Sequence, residues 1–319
     1  MTTEYPDDTK QSQIPQRAPG GTAKRVLIVY YSQSGDVHRA LEALVRPLEM
    51  RDVEITWRRI DSAPAYPFPW RAREFFDCMP EAVSGEPPAL AQLDLDATER
   101  FDLILIGWQV WFLSPSLPIQ AFFATRHAEV MRGTRVITVT CCRQMWQRAQ
   151  AKMRALIAAA GGIHTDSIVV THQGSALLTY ITAPRIMLTG RRDKIAFLPA
   201  GGVARTEIDK LGRFGSRLLE AADRWAEATP TPLLTGLRTA TVNVASLLPE
   251  LIGVGCMMVF ARLARLCGGP GNLIRLPVIW LFVLLLMLLL PIVLTISAVL
   301  TPVLKRVLTR RLARYAQVV

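Results

Sequence analysis

The sequence has few residues of the kinds that bind metals or form disulfide frameworks. Its 319 residues include only four histidines and five cysteines, and neither set has metal-ligand spacing or a CxxC pair. This use of cysteine is typical of a reduced, cytoplasmic compartment. No Ser, His and Asp constellation of a hydrolase stands out either. The sequence therefore predicts no metal site and no serine hydrolase.

The N-terminal end of the chain lacks the features of a signal peptide, and the C-terminal end has few acidic residues. Residues 1–23 have neither the basic start nor the apolar core of a signal peptide, and their Asp, Thr, Gln and Pro content predicts a disordered, cytosolic tail. Acidic residues are scarce at the other end, where nine Lys or Arg after Thr231 accompany the single acid Glu250, in a chain of net charge +11. Because this part is also the most apolar, we expect membrane lipid as a partner and no nucleic acid.

Residues 24–228 alternate apolar runs with helical patterns. The runs predict strands near Arg25 and at 53–57, 101–107, 135–140 and 167–171, and helical spacing appears at 36–50, 116–131 and 147–160. A last amphipathic helix is expected to be capped by Thr206. Insertions interrupt the pattern at about 61–90 and 173–204; the first is rich in aromatics, so it either packs on the sheet or covers a site. Together these elements predict an α/β, doubly wound, five-stranded parallel sheet.

The C-terminal part predicts a membrane-associated helical segment. Residues 229–275 read as a linker and an amphipathic or interfacial helical region, and 276–304 form 29 residues without a charge, more than the roughly 20 that cross a bilayer. A basic tail follows at 305–319. Basic residues flank the apolar run on both sides, so one kinked span and a hairpin bent at Pro291 both stay open, and the hairpin is slightly favoured.

Three loops are expected to meet where the parallel strands end, which is where such sheets bind ligands. They are residues 32–37, 108–118 and 141–146. The first offers hydroxyls and a helix N-terminus, which favour phosphate, and the other two offer Trp and Phe side chains. A flat aromatic ligand that carries a phosphate would suit both.

These loops resemble those of the flavodoxin-like flavoproteins. The phosphate loop of that family has the form [ST]-x-[ST]-G-x-[ST], and residues 32–37 match it except at Val37, which replaces the last hydroxyl. The stretch FDLILIGWQVWFLSPSLPIQAFF resembles the family's third strand and flavin-ring loop, which makes Trp111 the expected ring neighbour. The resemblance implies FMN as cofactor, NAD(P)H as a candidate electron donor, and twelve cofactor-binding residues: Ser32, Gln33, Ser34, Gly35, Asp36, Val37, Gln109, Val110, Trp111, Phe112, Cys142 and Arg143.

A narrower resemblance rests on YPFPW (66–70), QVWFLSPSLP (109–118), CRQMW (142–146) and the C-terminal apolar run. Together they are similar to the dialkylresorcinol-condensing enzyme family, also described as NAD(P)H-dependent oxidoreductase-like. This implies a membrane-associated FMN oxidoreductase with its flavodoxin-like domain in the cytoplasm and an apolar, acyl-derived substrate, and it adds acyl-condensing enzymes as candidate partners. Two alternatives stay open: a flavin-free, membrane-tethered scaffold of a lipid- or polyketide-synthesising complex, and a direct condensing enzyme. The sequence identifies no catalytic acid or base.

Overall fold

A computed structural model describes residues 23–196, 198–227, 231–242 and 244–316. The predicted tail lies almost wholly outside these residues. The strands, in chain order, are β1 (Lys24–Tyr30), β2 (Val53–Arg59), β3 (Ser62–Ala63), β4 (Ala89–Leu90), β5 (Leu103–Trp108), β6 (Val110–Trp111), β7 (Ser114–Pro115), β8 (Arg135–Cys142) and β9 (Ile163–Thr171). The helices are α1 (Asp36–Glu49), α2 (Ala72–Asp77), α3 (Met79–Ser84), α4 (Leu117–Phe123), α5 (Gln147–Ala159), α6 (Ala176–Thr189), α7 (Arg205–Asp209), α8 (Gly212–Glu220), α9 (Leu247–Leu266) and α10 (Leu276–Ala316).

Five of these strands form the central sheet, in the order β2-β1-β5-β8-β9. All four pairings between neighbours are parallel. The strand order reverses between β1 and β5, as in the doubly wound flavodoxin-like arrangement, and ligands bind at that switch point. The fold is therefore α/β and flavodoxin-like, as the sequence predicts.

Each face of the sheet is covered by its own hydrophobic core. Alternate residues of β1 point to opposite sides: Val26 and Ile28 pack under α1 and α8, and Leu27 and Val29 pack with α4 and α5. Both faces are buried, which explains why the strands read as continuous apolar runs. At the crossing of β5 and α1, a Cβ on Gly107 would lie 2.5 Å from Leu41 Cδ1, so the close packing of strand and helix requires glycine there.

Two helical predictions differ from the structure, and one further helix was not predicted. The helix expected at 116–131 ends at Phe123, and a separate 3₁₀ turn follows, because the Thr125 hydroxyl and N–H both turn back onto the Phe122 carbonyl. The last amphipathic pattern is divided into α7 and α8, and Thr206 lies inside α7, whose N-cap is Ala204. The second insertion contains the 14-residue helix α6, which the sequence pattern did not assign.

The first insertion both packs on the sheet and reaches the ligand-binding edge. Trp70 is buried in one core, with Tyr66 and Phe68 packed against it. Phe75 and Phe76, on α2, line a cavity at the strand ends. Both alternatives left open for this insertion, packing on the sheet and covering a site, therefore describe part of it.

The C-terminal helices pack against the sheet domain. At the start of α9, the Ser246 hydroxyl donates to the Gln144 carbonyl, and the buried Glu250 carboxylate accepts from the Arg148 N–H at the N-terminus of α5. The hairpin expected at Pro291 is wrong: α10 continues through it without a break. Proline removes the backbone donor that would bond to the Met287 carbonyl, yet α10 stays helical through this residue, and the Thr295 hydroxyl donates to the Pro291 carbonyl at 2.8 Å.

Two helical stretches in the described residues are long and apolar enough to cross a bilayer. They are 247–266 and 273–301, and they meet this criterion by length and composition alone. Only a small share of the second is buried against the rest of the chain. Membrane association is thus suggested, but weakly.

Candidate functional site

A cavity of about 210 Å³ lies at the ends of the parallel strands, where the three predicted loops meet. The loops contribute Ser34 after β1, the stretch from Gln109 to Leu113 after β5, and Arg143 and Met145 after β8, whose last two residues, Cys141 and Cys142, also line the cavity. The opposite wall comes from three helices that follow the sheet: Tyr180, Ala183, Pro184, Ile186 and Met187 of α6, Met257 of α9, and Leu286, Met287 and Leu290 of α10. The site is thus a largely apolar chamber closed by a C-terminal helix.

The loop after β1 forms a tight turn into α1. Gly35, with φ of +82°, is the N-cap residue in the left-handed region, which glycine adopts without strain. The Ser32 hydroxyl accepts the His38 N–H at 3.2 Å, and the Gln33 N–H donates to Gln109 Oε1 at 3.1 Å. Ser34 reaches the cavity wall. The loop is therefore held in shape by contacts with both α1 and the loop after β5.

Asp36 and Val37 occupy two different environments within this loop. Val37 is fully buried in the core under α1, and a Cβ on Gly107 would lie 2.8 Å from its Cγ1. The Val37 side chain therefore packs in the core and does not line the cavity. Asp36 is also buried, with 1% of its surface exposed, but its carboxylate is paired with Arg39 and Arg192.

The loop after β5 supplies the aromatic wall. Val110 and Trp111 form β6, which pairs with β7 across a turn in which Phe112 and Leu113 both adopt positive φ, 48° and 59°. Trp111 packs edge-on against Tyr31, Tyr66 and Trp70, which fixes its ring at the wall. Gln109, Val110, Trp111 and Phe112 all line the cavity, as predicted for a ring-binding loop.

The end of β8 adds two inert thiols to the site, and the loop after it adds one charge. Cys141 and Cys142 are buried, and burial raises the pKa of both thiols well above the ordinary value, so thiolates are rare there at neutral pH. Burial lowers the pKa of the Arg143 guanidinium to about 10. Arg143 lies over the ring of Tyr180 at 5.6 Å and donates to the Thr179 hydroxyl at 3.4 Å. Arg143 remains a cation within an apolar wall.

The structure brings three further residues to the site. Sequence reasoning missed His172 and Tyr180, and it counted Arg192 among the arginines that could meet a cofactor phosphate while favouring a solvated or lipid-facing role. His172 lines the cavity just after β9, and its Nδ1 is buried without a hydrogen-bond partner among the described residues. Burial lowers its pKa to about 4, which keeps the imidazole neutral. Tyr180 donates from its hydroxyl to the Leu286 carbonyl at 3.1 Å, joining α6 to α10. Arg192 arrives from the segment after α6. Of the two missed residues, only His172 could have been expected at the site from the sequence, because it directly follows the strand predicted at 167–171.

The predicted site residues therefore divide into three groups. Those that line the cavity are Ser34, Gln109, Val110, Trp111, Phe112, Cys142 and Arg143. Those that form the turn behind it are Ser32, Gln33, Gly35 and Asp36. Val37 belongs to neither of these two groups and packs in the core under α1. No group of three His, Cys, Asp or Glu side chains suited to a metal ion occurs among the described residues.

Comparisons with known proteins give similarity to solved structures only, over part of the chain. No family model and no curated protein matches the chain. Among solved structures, a flavoprotein in complex with FMN from Lactobacillus acidophilus NCFM is 24% identical, with a TM-score of 0.36; the match covers 46% of this chain and 93% of that one. A flavodoxin from the domain Archaea is 11% identical over 62% of this chain and 99% of its own length, with a TM-score of 0.35. The two-electron reduced flavodoxin of Megasphaera elsdenii is 17% identical, covers 45% and 84%, and has a TM-score of 0.27.

Proposed function

We propose that this chain is a membrane-associated, FMN-dependent oxidoreductase that acts on an apolar, acyl-derived substrate. The observation that carries the proposal is the cavity, because its two walls differ in origin. Strand-end loops of a flavodoxin-like sheet make one wall, and α6 with the apolar helix α10 makes the other. A flavin on the first wall would face an apolar molecule on the second.

The residues at the loop wall fit FMN at both of its ends. Trp111 and Phe112 offer aromatic surface for the ring, and the glycine turn at Gly35 leaves open space where a Cβ would be. At the start of α1, two guanidinium groups, Arg39 and Arg192, accompany the one carboxylate of Asp36. This surplus of positive charge at a helix N-terminus suits a phosphate. The flavin would supply the electron transfer, with NAD(P)H proposed as donor.

The helical wall supports the choice of substrate class. Leu286, Met287 and Leu290 face the cavity from α10, whose other sides leave large apolar side chains exposed. An acyl-derived molecule dissolved in lipid would meet a continuous apolar surface from the bilayer to the chamber. Arg143 and Tyr180 are the polar groups that would orient its hydroxyl or carbonyl end. The narrower resemblance adds a dialkylresorcinol or its precursor as the proposed substrate, in a cytoplasmic domain held at the membrane.

Flavin uptake tests the proposal directly. The purified protein in detergent is titrated with FMN and followed by flavin absorbance and fluorescence. We expect saturable binding that Trp111→Phe weakens by about twofold to tenfold, because one aromatic contact contributes roughly 0.5–1.5 kcal/mol. Trp57→Phe, on β2 and away from the cavity, is the matched control and leaves the affinity unchanged. Protein that stays colourless and takes up no FMN would remove the flavoenzyme from consideration.

One observation favours a second candidate. Asp36 already occupies the helix N-terminus with a buried, ion-paired carboxylate. That arrangement also suits a flavin-free, membrane-tethered scaffold for a complex that makes lipids or polyketides. Co-purification with acyl-condensing enzymes, together with no flavin uptake, would support it. A direct condensing role has less support, since burial raises the pKa of the two thiols at the site.

A further inference from the structure

The pairing of Asp36 with Arg192 joins two parts of the chain 156 residues apart. Arg192 Nη1 donates to both Asp36 carboxylate oxygens, at 2.9 and 3.0 Å. Its Nη2 donates to the Ser34 carbonyl, within the turn that leads into α1. A charge-assisted pair of this kind is among the stronger side-chain contacts in proteins. The segment after α6 is thereby fastened across the loop that the fold uses to hold a ligand.

The Asp36 carboxylate uses the groups that a phosphate would use. It belongs to the first residue of α1, a 14-residue helix, where the helix dipole favours an anion. The Ser34 hydroxyl lies 3.4 Å from its Oδ2, and both Arg39 and Arg192 bind it. A hydroxyl, a helix N-terminus and two guanidinium groups therefore converge on one carboxylate that carries a single negative charge.

A second observation at the same place indicates a ligand. His172 lines the cavity, and the next residue, Gln173, donates its N–H to the Gly202 carbonyl on the segment that carries Arg192, so the imidazole lies close to this pair. Its buried Nδ1 has no hydrogen-bond partner among the described residues. Buried polar atoms are normally satisfied, so this nitrogen is available to a bound molecule.

The segment that carries Arg192 is closely packed over the pair. Gly202 has φ of +87°, and a Cβ there would lie 2.3 Å from Arg192 Nη1 and 3.0 Å from Asp36 Oδ2. The segment is closed on itself by the Gly201 N–H, which donates to the Arg192 carbonyl at 2.8 Å, and it is tied to the end of β9 by the Gln173 N–H, which donates to the Gly202 carbonyl at 3.0 Å. Because Arg192 Nη1 is already bonded to both Asp36 carboxylate oxygens, a ligand phosphate that binds this nitrogen has to take the place of Asp36.

From these contacts we infer that Arg192 is the phosphate-binding cation of the cradle and that Asp36 is its internal competitor. The inference rests on the proposed binding of FMN. The phosphate monoester of FMN exchanges with the Asp36 carboxylate as the partner of Arg192, and the carboxylate turns away from the helix N-terminus. Asp36 thus lowers affinity for FMN in a way that it does not lower affinity for riboflavin, which has the same ring and no phosphate.

The test compares the two flavins on a set of variants. Dissociation constants for FMN and riboflavin are measured by quenching of flavin fluorescence on the full chain in detergent. Asp36→Asn keeps the shape and removes the charge, and we expect it to tighten FMN binding about tenfold or more. Arg192→Gln weakens FMN binding by a similar factor, and Arg192→Lys weakens it less. Riboflavin binding stays within about twofold throughout.

Arg191→Gln is the matched control, since it removes the same charge from the neighbouring, exposed position. It should leave both flavins unaffected. If Arg192→Gln and Arg191→Gln behave alike, or if Asp36→Asn weakens FMN binding, the inference is overturned while the flavoprotein proposal stands. If neither flavin binds the unaltered chain, the proposed function itself fails. Asp36→Asn and Arg192→Lys keep the test valid even if Arg192→Gln does not fold.

Discussion

Replacing Arg275 should release the C-terminal helices from the sheet domain. This guanidinium is fully buried just before α10 and binds two carboxylates of α2 and α3: Nε donates to Asp77 at 2.6 Å, and Nη1 and Nη2 donate to Glu81 at 2.8 and 3.1 Å. The Gly271 N–H also donates to Asp77, at 2.7 Å. The cluster therefore fixes the connection between α9 and α10 to the domain.

The magnitude follows from what the substitution leaves behind. Arg275→Met keeps the length of the side chain but leaves Asp77 and Glu81 buried together without a counter-charge. Removing one partner of a buried ion pair costs about 3–5 kcal/mol. By contrast, Arg265 and Glu86 form a half-exposed pair at 2.5 Å, and exposed pairs contribute about 0–1 kcal/mol. Arg265→Met is therefore the matched control.

Urea unfolding in detergent, followed by tryptophan fluorescence, measures both variants. Protease cleavage between α9 and α10 reports undocking independently. We expect a large loss for Arg275→Met, a small one for Arg265→Met, and partial recovery when Asp77→Asn and Glu81→Gln are added to Arg275→Met, because the orphaned charges are then gone. If Arg275→Met unfolds within about 0.5 kcal/mol of the unaltered chain, or if the added substitutions bring no recovery, the electrostatic account is refuted.

Two further predictions concern the cavity. Burial lowers the pKa of His172 to about 4 from the ordinary 6.5. The stability that the neutral imidazole contributes is therefore complete above about pH 6.5 and is lost as the pH falls towards 4, by at most about 3 kcal/mol. Free energies of unfolding measured at pH 5 and pH 7.5 should show this loss, and His172→Gln should reduce it. Leu290→Trp should fill the α10 wall and weaken binding of a dialkylresorcinol by about tenfold or more, whereas Leu289→Trp, on the exposed side of α10, should not; calorimetric titration in detergent measures both.

Each of these two predictions has an outcome that would contradict it. If His172→Gln leaves the loss of stability at acidic pH unchanged, another group causes that loss. His164, whose pKa burial also lowers to about 4, is then the next residue to test. Equal affinities for the two tryptophan variants would place the apolar ligand outside the chamber.

The sheet was predictable because its strands are buried on both faces and read as uninterrupted apolar runs. Helix ends were less predictable. The apolar spacing continues from Ile208 through Leu218, and the break before Gly212 depends on backbone turns, with no capping side chain. Val37 shows the limit of a local motif: it was interpreted as the one departure that weakens the phosphate loop, although its spacing with Leu41 also placed it on the core face of α1, where it lies.

Arg192 could be named from the sequence as a possible contact of a cofactor phosphate, but its pairing with Asp36 could not be predicted. Arg192 lies in an insertion, and nothing local indicates that it crosses back to the first loop. Its position depends on α6 and on the close approach of Gly202, which are tertiary features. The position of Tyr180 at the site could not be predicted for the same reason, since it depends on contact with Leu286 on α10. Long-range contacts like these complete the site, whereas the loops alone only outline it.

The packing of α10 limits how the proposed membrane association can occur. Residues buried against the rest of the chain extend along α10 from Ile279 to Ser297, whose hydroxyl donates to the Ala245 carbonyl at 2.6 Å. This length is about 27 Å, close to the roughly 30 Å of a bilayer's hydrocarbon. A crossing by this stretch would draw the packed domain into the lipid. The uncharged run ends at Leu304, so the residues between Ser297 and Leu304 are too few to cross the bilayer by themselves. While α10 stays docked, its exposed outer face therefore favours attachment along one lipid surface.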